Sequence, residues 1–342
     1  MTLCFRTIET FKTSIIIFNC LCFSNKLHCF YEIDSNFFPK HVSNFNYQMM
    51  KCKQRKLKFP VPWGHIAGKI YGSVKEKRVL MVHGILDNAG TFDRLIEHLP
   101  QKYQYVNIDL PGHGLSSPMP SGMPLHYFDY VHSILFVLDA LKWQTCIYIG
   151  HSFGAHIATY FTILYPGRLE TIVALDGFLP FVVKDIVPYI RDVYNLNAYT
   201  KDSNILYTKD EVMYILQFKR FETLRIEAAE ALFKRAVTKV GDLYKFNRDT
   251  RLRHVVRPFF MLEQHKEIFK KYTTKTLIII ADSSLRVNIM LQIVKSLPLI
   301  TNRTDLFTVI KVRGNHDVHN NYPEWIAPHI CKFLDDNLQS KL

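Results

Sequence analysis

The sequence lacks both an apolar run long enough to cross a membrane and a cysteine pattern typical of a disulfide framework. The apolar run at residues 13–23 is too short to span a bilayer, and no small-residue cleavage site of the kind that ends a signal peptide follows it. The seven cysteines show neither paired spacing nor the spacing of metal ligands. We therefore expect no transmembrane segment and no disulfide scaffold, and a reducing compartment is favoured.

The sequence also lacks zinc-finger spacing and any basic repeat with interleaved aromatic residues, although its formal net charge is +13. A positive balance of this size can indicate attraction to phosphates or to an anionic membrane. The densest basic run occupies residues 51–58, before the predicted core, and we interpret it as solvated chain. The sequence therefore leads us to expect no nucleic-acid partner, no metal and no cofactor.

Short apolar runs alternate with helical stretches from Phe59 onward, which is typical of an α/β protein with a mostly parallel sheet. The alternation stops between a strand that ends near Leu175 and a strand that starts near Thr276, where the patterning is helical. A helical block inserted between two strands is best explained as a lid over the sheet edge. The predicted units are a flexible or dispensable N-terminal extension, a two-part core and a helical lid, at residues 1–58, 59–177 with 272–342, and 178–271.

The strongest motif is GHSFG at residues 150–154, a G-x-S-x-G between a buried strand and a helix. A nucleophilic serine must project from a turn so sharp that side chains two residues before and after it would collide, so both positions require glycine. The N-terminus of the following helix directs N–H groups toward a developing oxyanion. The motif and its flanking elements predict an α/β-hydrolase fold with Ser152 as the nucleophile, in preference to a structural turn.

A serine hydroxyl needs a neighbouring base to take its proton. His316 follows the last predicted strand and is the predicted base, whereas His319 is assigned to packing. Two residues are candidates for the acid that orients the imidazole. Asp176 directly follows the strand that ends at Leu175, and Asp282 directly follows the next predicted strand. We favour Asp176 and keep Asp282 as the alternative.

An oxyanion hole requires two backbone donors aimed at the tetrahedral intermediate. Phe153, directly after the nucleophile, is predicted to supply one N–H group, and Ile85, at the end of an earlier strand, is predicted to supply the other. His83 and His113 lie in turns near this site. We predict that His83 braces the loop, in preference to a direct part in the chemistry, and that His113 is also structural.

The two ends of the chain carry expectations about location. The sequence ends in Ser340, Lys341 and Leu342, the tripeptide address read by the peroxisomal import receptor. We therefore expect a peroxisomal protein, with the cytoplasm or cytoplasmic vesicles as the alternative. At the other end, Met49 or Met50 is an alternative start of translation.

The motifs resemble those of the serine hydrolase-like proteins related to insect kraken. The stretches that carry the resemblance are FPVPWGHIAGKIYG (59–72), VHGILDNAGTFDRL (82–95), DLPGHGLSS (109–117), GNHDVHNNYPE (314–324) and, in the lid, YKFNRDTRL (244–252). The resemblance runs from about residue 59 to the C-terminus and implies an α/β-hydrolase fold and a peroxisomal or vesicular hydrolase with a poorly defined substrate. Ile85 departs from the family, in which relatives often carry an aromatic residue.

Haloalkane dehalogenases and epoxide hydrolases, to which this family is similar in fold, use an aspartate nucleophile. Serine at position 152 points instead to acyl transfer to water. We therefore expect an esterase-type serine hydrolase that cleaves a carboxylic ester or thioester with a lipid-like acyl group, with Phe178 and Phe181 in an apolar lid pocket. The alternatives are a catalytically weak ligand-binding protein of the same fold and an acyltransferase that uses the same site.

Overall fold

The computed structural model describes residues 54–73, 77–178, 185–194, 205–258, 260–284 and 287–339, and these residues place helices on both faces of a β-sheet. The strands are β1 (Arg55–Val61), β2 (Gly64–Tyr71), β3 (Lys77–Val82), β4 (Tyr103–Ile108), β5 (Cys146–His151), β6 (Leu169–Leu175), β7 (Val237–Val240), β8 (Leu243–Phe246), β9 (Lys275–Ala281) and β10 (Phe307–Val312). The helices are α1 (Asp93–Ile96), α2 (Tyr127–Ala140), α3 (Phe153–Leu164), α4 (Ile186–Val193), α5 (Lys209–Phe218), α6 (Ile226–Ala236), α7 (Leu262–Phe269), α8 (Val287–Ile300), α9 (Val318–Asn321) and α10 (Pro323–Gln339).

The main sheet has eight strands in the order β1-β2-β4-β3-β5-β6-β9-β10. The pairings β1–β2 and β2–β4 are antiparallel, and every pairing from β4 to β10 is parallel. Because parallel strands all end at the same edge, the loops that follow β3, β5, β6, β9 and β10 meet there. This arrangement confirms the predicted α/β fold with a mostly parallel sheet.

The central strands are apolar on both faces because helices cover both faces. In β5, Cys146 and Tyr148 belong to the hydrophobic cluster that also contains residues of α2, α3 and α8. Ile147 and Ile149 point the other way, into the cluster that contains residues of α1 and α10. Strand side chains alternate between faces, so a strand buried on both sides shows the continuous apolar run seen in the sequence.

The predicted N-terminal extension, residues 1–58, extends too far, because β1 begins at Arg55 and pairs with β2 over its full length. Arg55, Lys56 and Lys58 are exposed along this edge strand, whereas Phe59 is buried in the core. Charged side chains are common on edge strands, where they discourage pairing with another chain. The end of the basic run is therefore folded, and its charged side chains are exposed on the edge strand β1.

The insertion between β6 and β9 contains α4 to α7, as the helical patterning predicted, but it also contains the antiparallel hairpin β7–β8. Two residues separate these strands, and the first, Gly241, has a φ of 60°. Gly-Asp between two short apolar runs is a recognised hairpin turn signal. The prediction of a purely helical lid was wrong here, because strands of four residues are too short to show alternation clearly.

The predicted lid boundaries, residues 178 and 271, cut through the packing of the core. Phe178 is fully buried, and its ring packs against those of Phe269, Tyr272 and Phe307. The predicted role of Phe178 in a substrate pocket is therefore wrong, because its ring is enclosed by core residues. Phe181 lies outside the described residues.

Two further expectations concern location. None of the helices in the described segments combines the length and hydropathy needed to cross a bilayer. Ser340, Lys341 and Leu342 lie outside the described residues, so the peroxisomal address stays a prediction.

A buried ion pair fastens the insertion to the core. Arg235 of α6 donates Nη2–H to Oδ2 of Asp109, the residue after β4, at 2.6 Å, and its Nε–H also contacts this carboxylate. The Asp109 side chain is fully buried and that of Arg235 is 6% exposed. The same carboxylate accepts backbone N–H bonds from Ala89 and Leu115. One charge pair thus connects the insertion to two core loops.

We predict that Arg235→Met lowers the free energy of unfolding by about 3–5 kcal/mol, because the Asp109 carboxylate is left buried without its cation. The measurement is equilibrium unfolding in urea. Arg303→Met is the matched control, since Arg303 forms an exposed pair with Asp305. Equal unfolding midpoints for the two variants would contradict this account.

Candidate active site

Ser152 stands on a strained turn between β5 and α3. Its φ of 49° and ψ of −111° lie outside the conformations that side-chain-bearing residues ordinarily adopt. Its N–H donates to Leu175 O at 2.9 Å, and its carbonyl accepts from His156 N at 3.1 Å. These bonds fix the backbone of the turn to the neighbouring strand and to the first turn of the helix.

The two glycines of the motif are required by close backbone contacts. A Cβ on Gly150 would lie 2.6 Å from Ala155 N, and a Cβ on Gly154 would lie 2.0 Å from Val82 O. Both distances are shorter than real Cβ atoms show, and in each case the obstructing atom is backbone. The structure therefore gives the glycine requirement its predicted steric cause.

The structure places Asp176 against His316. The His316 Nδ1–H group donates to Asp176 Oδ2 at 2.5 Å, although the two residues are far apart in sequence. The carboxylate is 2% exposed and also accepts bonds from Ala281 N at 3.1 Å and Ser284 Oγ at 2.8 Å. With its Nδ1 proton engaged in this way, the neutral imidazole presents a lone pair at Nε2, the form that a general base requires.

Asp282, the alternative acid, accepts hydrogen bonds from other groups. Its Oδ1 accepts from Gly314 N at 3.1 Å and from Ser283 Oγ at 2.8 Å, and its side chain is exposed. Asp282 therefore fastens the histidine loop, residues 313–317, at its beginning. The geometry favours Asp176 as the acid, since it contacts the imidazole itself.

The oxyanion loop, residues 84–88, lies beside the nucleophile. A Cβ built on Gly84 would be 3.2 Å from Ser152 Cβ, so the backbone that leads to Ile85 passes next to the serine side chain. Phe153 begins α3 on the other side of Ser152. The two predicted oxyanion donors, Ile85 N and Phe153 N, thus belong to the two backbone segments that flank the serine.

His83 and His113 brace this loop. The His83 Nδ1–H group donates to Gly84 O at 2.7 Å, and Nε2 accepts from Leu110 N at 2.9 Å. His113 Nε2 accepts from Leu86 N at 3.1 Å. Complete burial lowers the pKa of both histidines, so both are neutral and each ring offers the acceptor nitrogen that these bonds need. These contacts agree with the structural roles predicted for the two histidines.

His151 and His319 form a second buried layer beneath His316. The ring centroids of His151 and His316 are 4.7 Å apart, those of His151 and His319 are 4.0 Å apart, and His151 Nε2–H donates to His316 O at 2.9 Å. Burial lowers the pKa of His151 to about 4, although Asp87 acts in the opposite direction. Burial also holds the pKa of His319 well below its ordinary value. Two neutral rings thus support the imidazole of His316.

His151, His319 and Asp317 also bring three possible metal-ligand atoms within 4.8 Å of one another. However, the Asp317 carboxylate already accepts a bond from the guanidinium of Arg220 at 3.0 Å. A cation bound to this cluster would face that positive charge at close range. The charge arrangement therefore does not favour a metal at this position.

The chain is similar to known proteins over most of its length. Residues 77–239 match the family model described as alpha/beta hydrolase fold. A serine hydrolase-like protein of Danio rerio is 32% identical over 303 residues, which cover 86% of this chain and 92% of that protein. Serine hydrolase-like protein 2 of Homo sapiens is 35% identical over 297 residues, which cover 82% of this chain and 93% of that protein. The chain belongs to the serine hydrolase-like protein family.

A solved structure supports the fold of this serine hydrolase-like chain. The hypothetical protein PA1622 from Pseudomonas aeruginosa PAO1 matches it with a TM-score of 0.71 at 22% identity, covering 81% of this chain and 96% of that one. The resemblance inferred from the five sequence stretches is thus confirmed at the level of family and fold.

Sequence reasoning missed the residues of the insertion that contact the catalytic loops of this serine hydrolase-like protein. Glu222 accepts the backbone N–H of His316 at 2.7 Å, and Arg220 bonds to Asp87 at 2.6 Å as well as to Asp317. Nothing in the local sequence distinguishes this arginine from the other basic residues of the chain. Sequence reasoning also missed Ser284, whose hydroxyl donates a hydrogen bond to Asp176. The position of Ser284 in the loop after β9 could have indicated this contact.

We predict that Asp176→Asn lowers kcat for a nitrophenyl ester by about 10⁴-fold, because an amide stabilises the wrong imidazole tautomer and cannot stabilise the imidazolium. Asp282→Asn is the matched control and should lose far less activity, since Asp282 contacts backbone and a serine hydroxyl. Steady-state kinetics decides between the two residues. A larger loss for Asp282→Asn would reverse the assignment of the acid.

We also predict that stability falls as the pH drops below about 6.5, the ordinary pKa of histidine. Four histidines that are buried around the site have lowered pKa values in the folded state: His83, His113, His151 and His319. Below pH ~6.5 the unfolded chain binds protons at these histidines, whereas the folded chain does not. Acid therefore favours unfolding, and each histidine lowers the free energy of unfolding by up to about 1.4 kcal/mol for each pH unit. Urea unfolding between pH 8 and 5 measures the slope; a pH-independent free energy would contradict the assignment.

Proposed function

We propose that the protein hydrolyses a carboxylic ester or thioester through an acyl-enzyme formed on Ser152. The observation that carries this proposal is the 2.5 Å contact between His316 Nδ1 and Asp176 Oδ2, beside a serine on a strained turn. Membership of the serine hydrolase-like family supports hydrolysis in general. The reaction and the acyl substrate are inferred from the chemistry of this site.

In the first half-reaction, Ser152 Oγ attacks the substrate carbonyl while His316 Nε2 takes the hydroxyl proton. Asp176 remains a carboxylate and stabilises the imidazolium through the Nδ1–H bond. The negative oxygen of the tetrahedral intermediate faces Ile85 N and Phe153 N. Collapse of the intermediate breaks the bond to the alcohol or thiol, which leaves with the proton from His316, and the acyl group stays on Ser152.

In the second half-reaction, His316 accepts a proton from water, and the resulting hydroxide equivalent attacks the acyl-serine carbonyl. The proton then passes to Ser152 Oγ as the acid is released, so the enzyme returns to its starting state. The low exposure of the site supports this mechanism, because Ser152 is 3% exposed and His316 is 7% exposed. Hydrogen bonds act more strongly on a developing charge when bulk water is largely excluded.

An exposed aromatic side chain beside His316 supports a lipid-like acyl group. The ring of Phe221 lies 6.2 Å from that of His316, yet Phe221 is 52% exposed. An exposed aromatic ring next to a catalytic imidazole favours an apolar substrate, since substrate binding would remove the surface of the ring from water.

The proposal is tested with a fluorophosphonate probe on the full chain. Wild type should be labelled, and Ser152→Ala should lose both labelling and at least about 10⁴-fold in kcat, because no other group supplies the nucleophile. Ser121→Ala is the matched control, since Ser121 is exposed in the loop before α2. Esters and thioesters of graded chain length then define the acyl preference.

Three outcomes would change the conclusion. Equal labelling of wild type and Ser152→Ala contradicts Ser152 as the nucleophile. Specific labelling without turnover of any ester or thioester supports the ligand-binding alternative. If added alcohol diverts most of the product to a new ester, the site is an acyltransferase.

A further inference from the structure

The segment between α5 and α6 touches both sides of the catalytic centre. Arg220 donates Nη1–H to Asp87 Oδ1 at 2.6 Å and Nη2–H to Asp317 Oδ1 at 3.0 Å. Asp87 belongs to the oxyanion loop, two positions after Ile85. Asp317 directly follows His316 in the histidine loop. One guanidinium therefore spans the two loops that carry the oxyanion donor and the base.

Neighbouring residues of the same segment hold the histidine loop through further bonds. Glu222 accepts from His316 N at 2.7 Å, as described above. Thr223 O accepts from Asn315 Nδ2 at 2.8 Å and from Asn321 Nδ2 at 3.2 Å. Asn315 and Asp317, on either side of His316, are thus bonded to the insertion. The position of the histidine loop therefore depends on the position of the segment between α5 and α6.

The charges make Arg220 the central member of this contact. The side chains of Asp87 and Asp317 are each 2% exposed, so neither carboxylate has access to much water. Burial raises the pKa of Asp317, whereas at Asp87 the attraction of Arg220 outweighs burial and leaves the pKa below its ordinary value. Burial disfavours the charged guanidinium, but the two carboxylates outweigh it and raise the Arg220 pKa. Without the cation, two buried carboxylates would repel each other between the catalytic loops.

We propose that Arg220 is a positioning residue that holds the oxyanion loop and the histidine loop in register, so that the catalytic centre is complete only while the insertion is docked. The proposal rests on the proposed hydrolase function of Ser152 and His316. Arginine suits this position because Nη1 and Nη2 form a planar fork that reaches two carboxylates at once. A lysine ammonium keeps the charge but is a single point, so it cannot bridge the same two groups in the same geometry.

The test compares Arg220→Ala and Arg220→Lys with wild type and with the control Lys219→Ala, which removes the adjacent exposed cation. We expect kcat and the fluorophosphonate labelling rate to fall about 10²-fold in both Arg220 variants, because small displacements of catalytic groups have effects of this size. KM should change little, since Arg220 is assigned no substrate contact. Lys219→Ala should match wild type in all three quantities.

Chemical rescue separates positioning from general stability. Low millimolar guanidinium should restore part of kcat in Arg220→Ala, while sodium chloride at equal ionic strength should not. Guanidinium should leave wild type and Ser152→Ala unchanged. A loss of kcat that follows only the fraction of unfolded protein, measured by thermal melting, and that guanidinium does not rescue, would overturn the proposal.

Two substitutions of similar volume keep the proposal testable if Arg220→Ala does not fold. Asp87→Asn and Asp317→Asn each weaken one end of the bridge and should each lower kcat with little change in KM. Normal kcat in both would overturn the role of Arg220. If wild type itself neither labels nor turns over any ester, the proposed function of Ser152 has failed, and the inference about Arg220 fails with it.

Discussion

The turn at Ser152 is the constraint on which the site depends. A residue with a φ of 49° carries a backbone strain of about 1–3 kcal/mol, and the strain persists only where surrounding structure enforces it. Here β5 supplies that structure, because it lies in the middle of the sheet and pairs with β3 and β6. The helix that follows packs against the same sheet. The strained turn is held between two elements that cannot easily move.

The parallel order of the sheet explains how distant residues meet. Gly84 follows β3, Ser152 follows β5, Asp176 follows β6 and His316 follows β10, and these strands all end at one edge. The histidine loop crosses the end of β9, where Asp282 holds Gly314 by its backbone N–H. The imidazole therefore pairs with Asp176, after β6, and not with Asp282, which follows the adjacent strand β9. The two acidic residues have separate tasks, one on the imidazole and one on the loop that carries it.

The insertion also contributes to the order of the catalytic centre. Two of its charged contacts with the core are the buried pair of Arg235 with Asp109 and the bridge from Arg220 to the oxyanion and histidine loops. Both place a cation against buried carboxylates that would be costly to leave alone. These ion pairs therefore oppose movement of the insertion away from the core and, at Arg220, away from the oxyanion and histidine loops.

The local sequence determined those parts of the protein that depend on spacing along the chain. Strand and helix periods, the glycines around Ser152 and the position of His316 after the last strand all follow from near neighbours, because steric and periodic rules act over a few residues. Tertiary structure alone shows that Asp176, and not Asp282, contacts the imidazole through His316 Nδ1, since both follow strands and only the path of the histidine loop separates them. It alone identified Arg220 as well, because charge pairing between distant segments leaves no local pattern in the sequence.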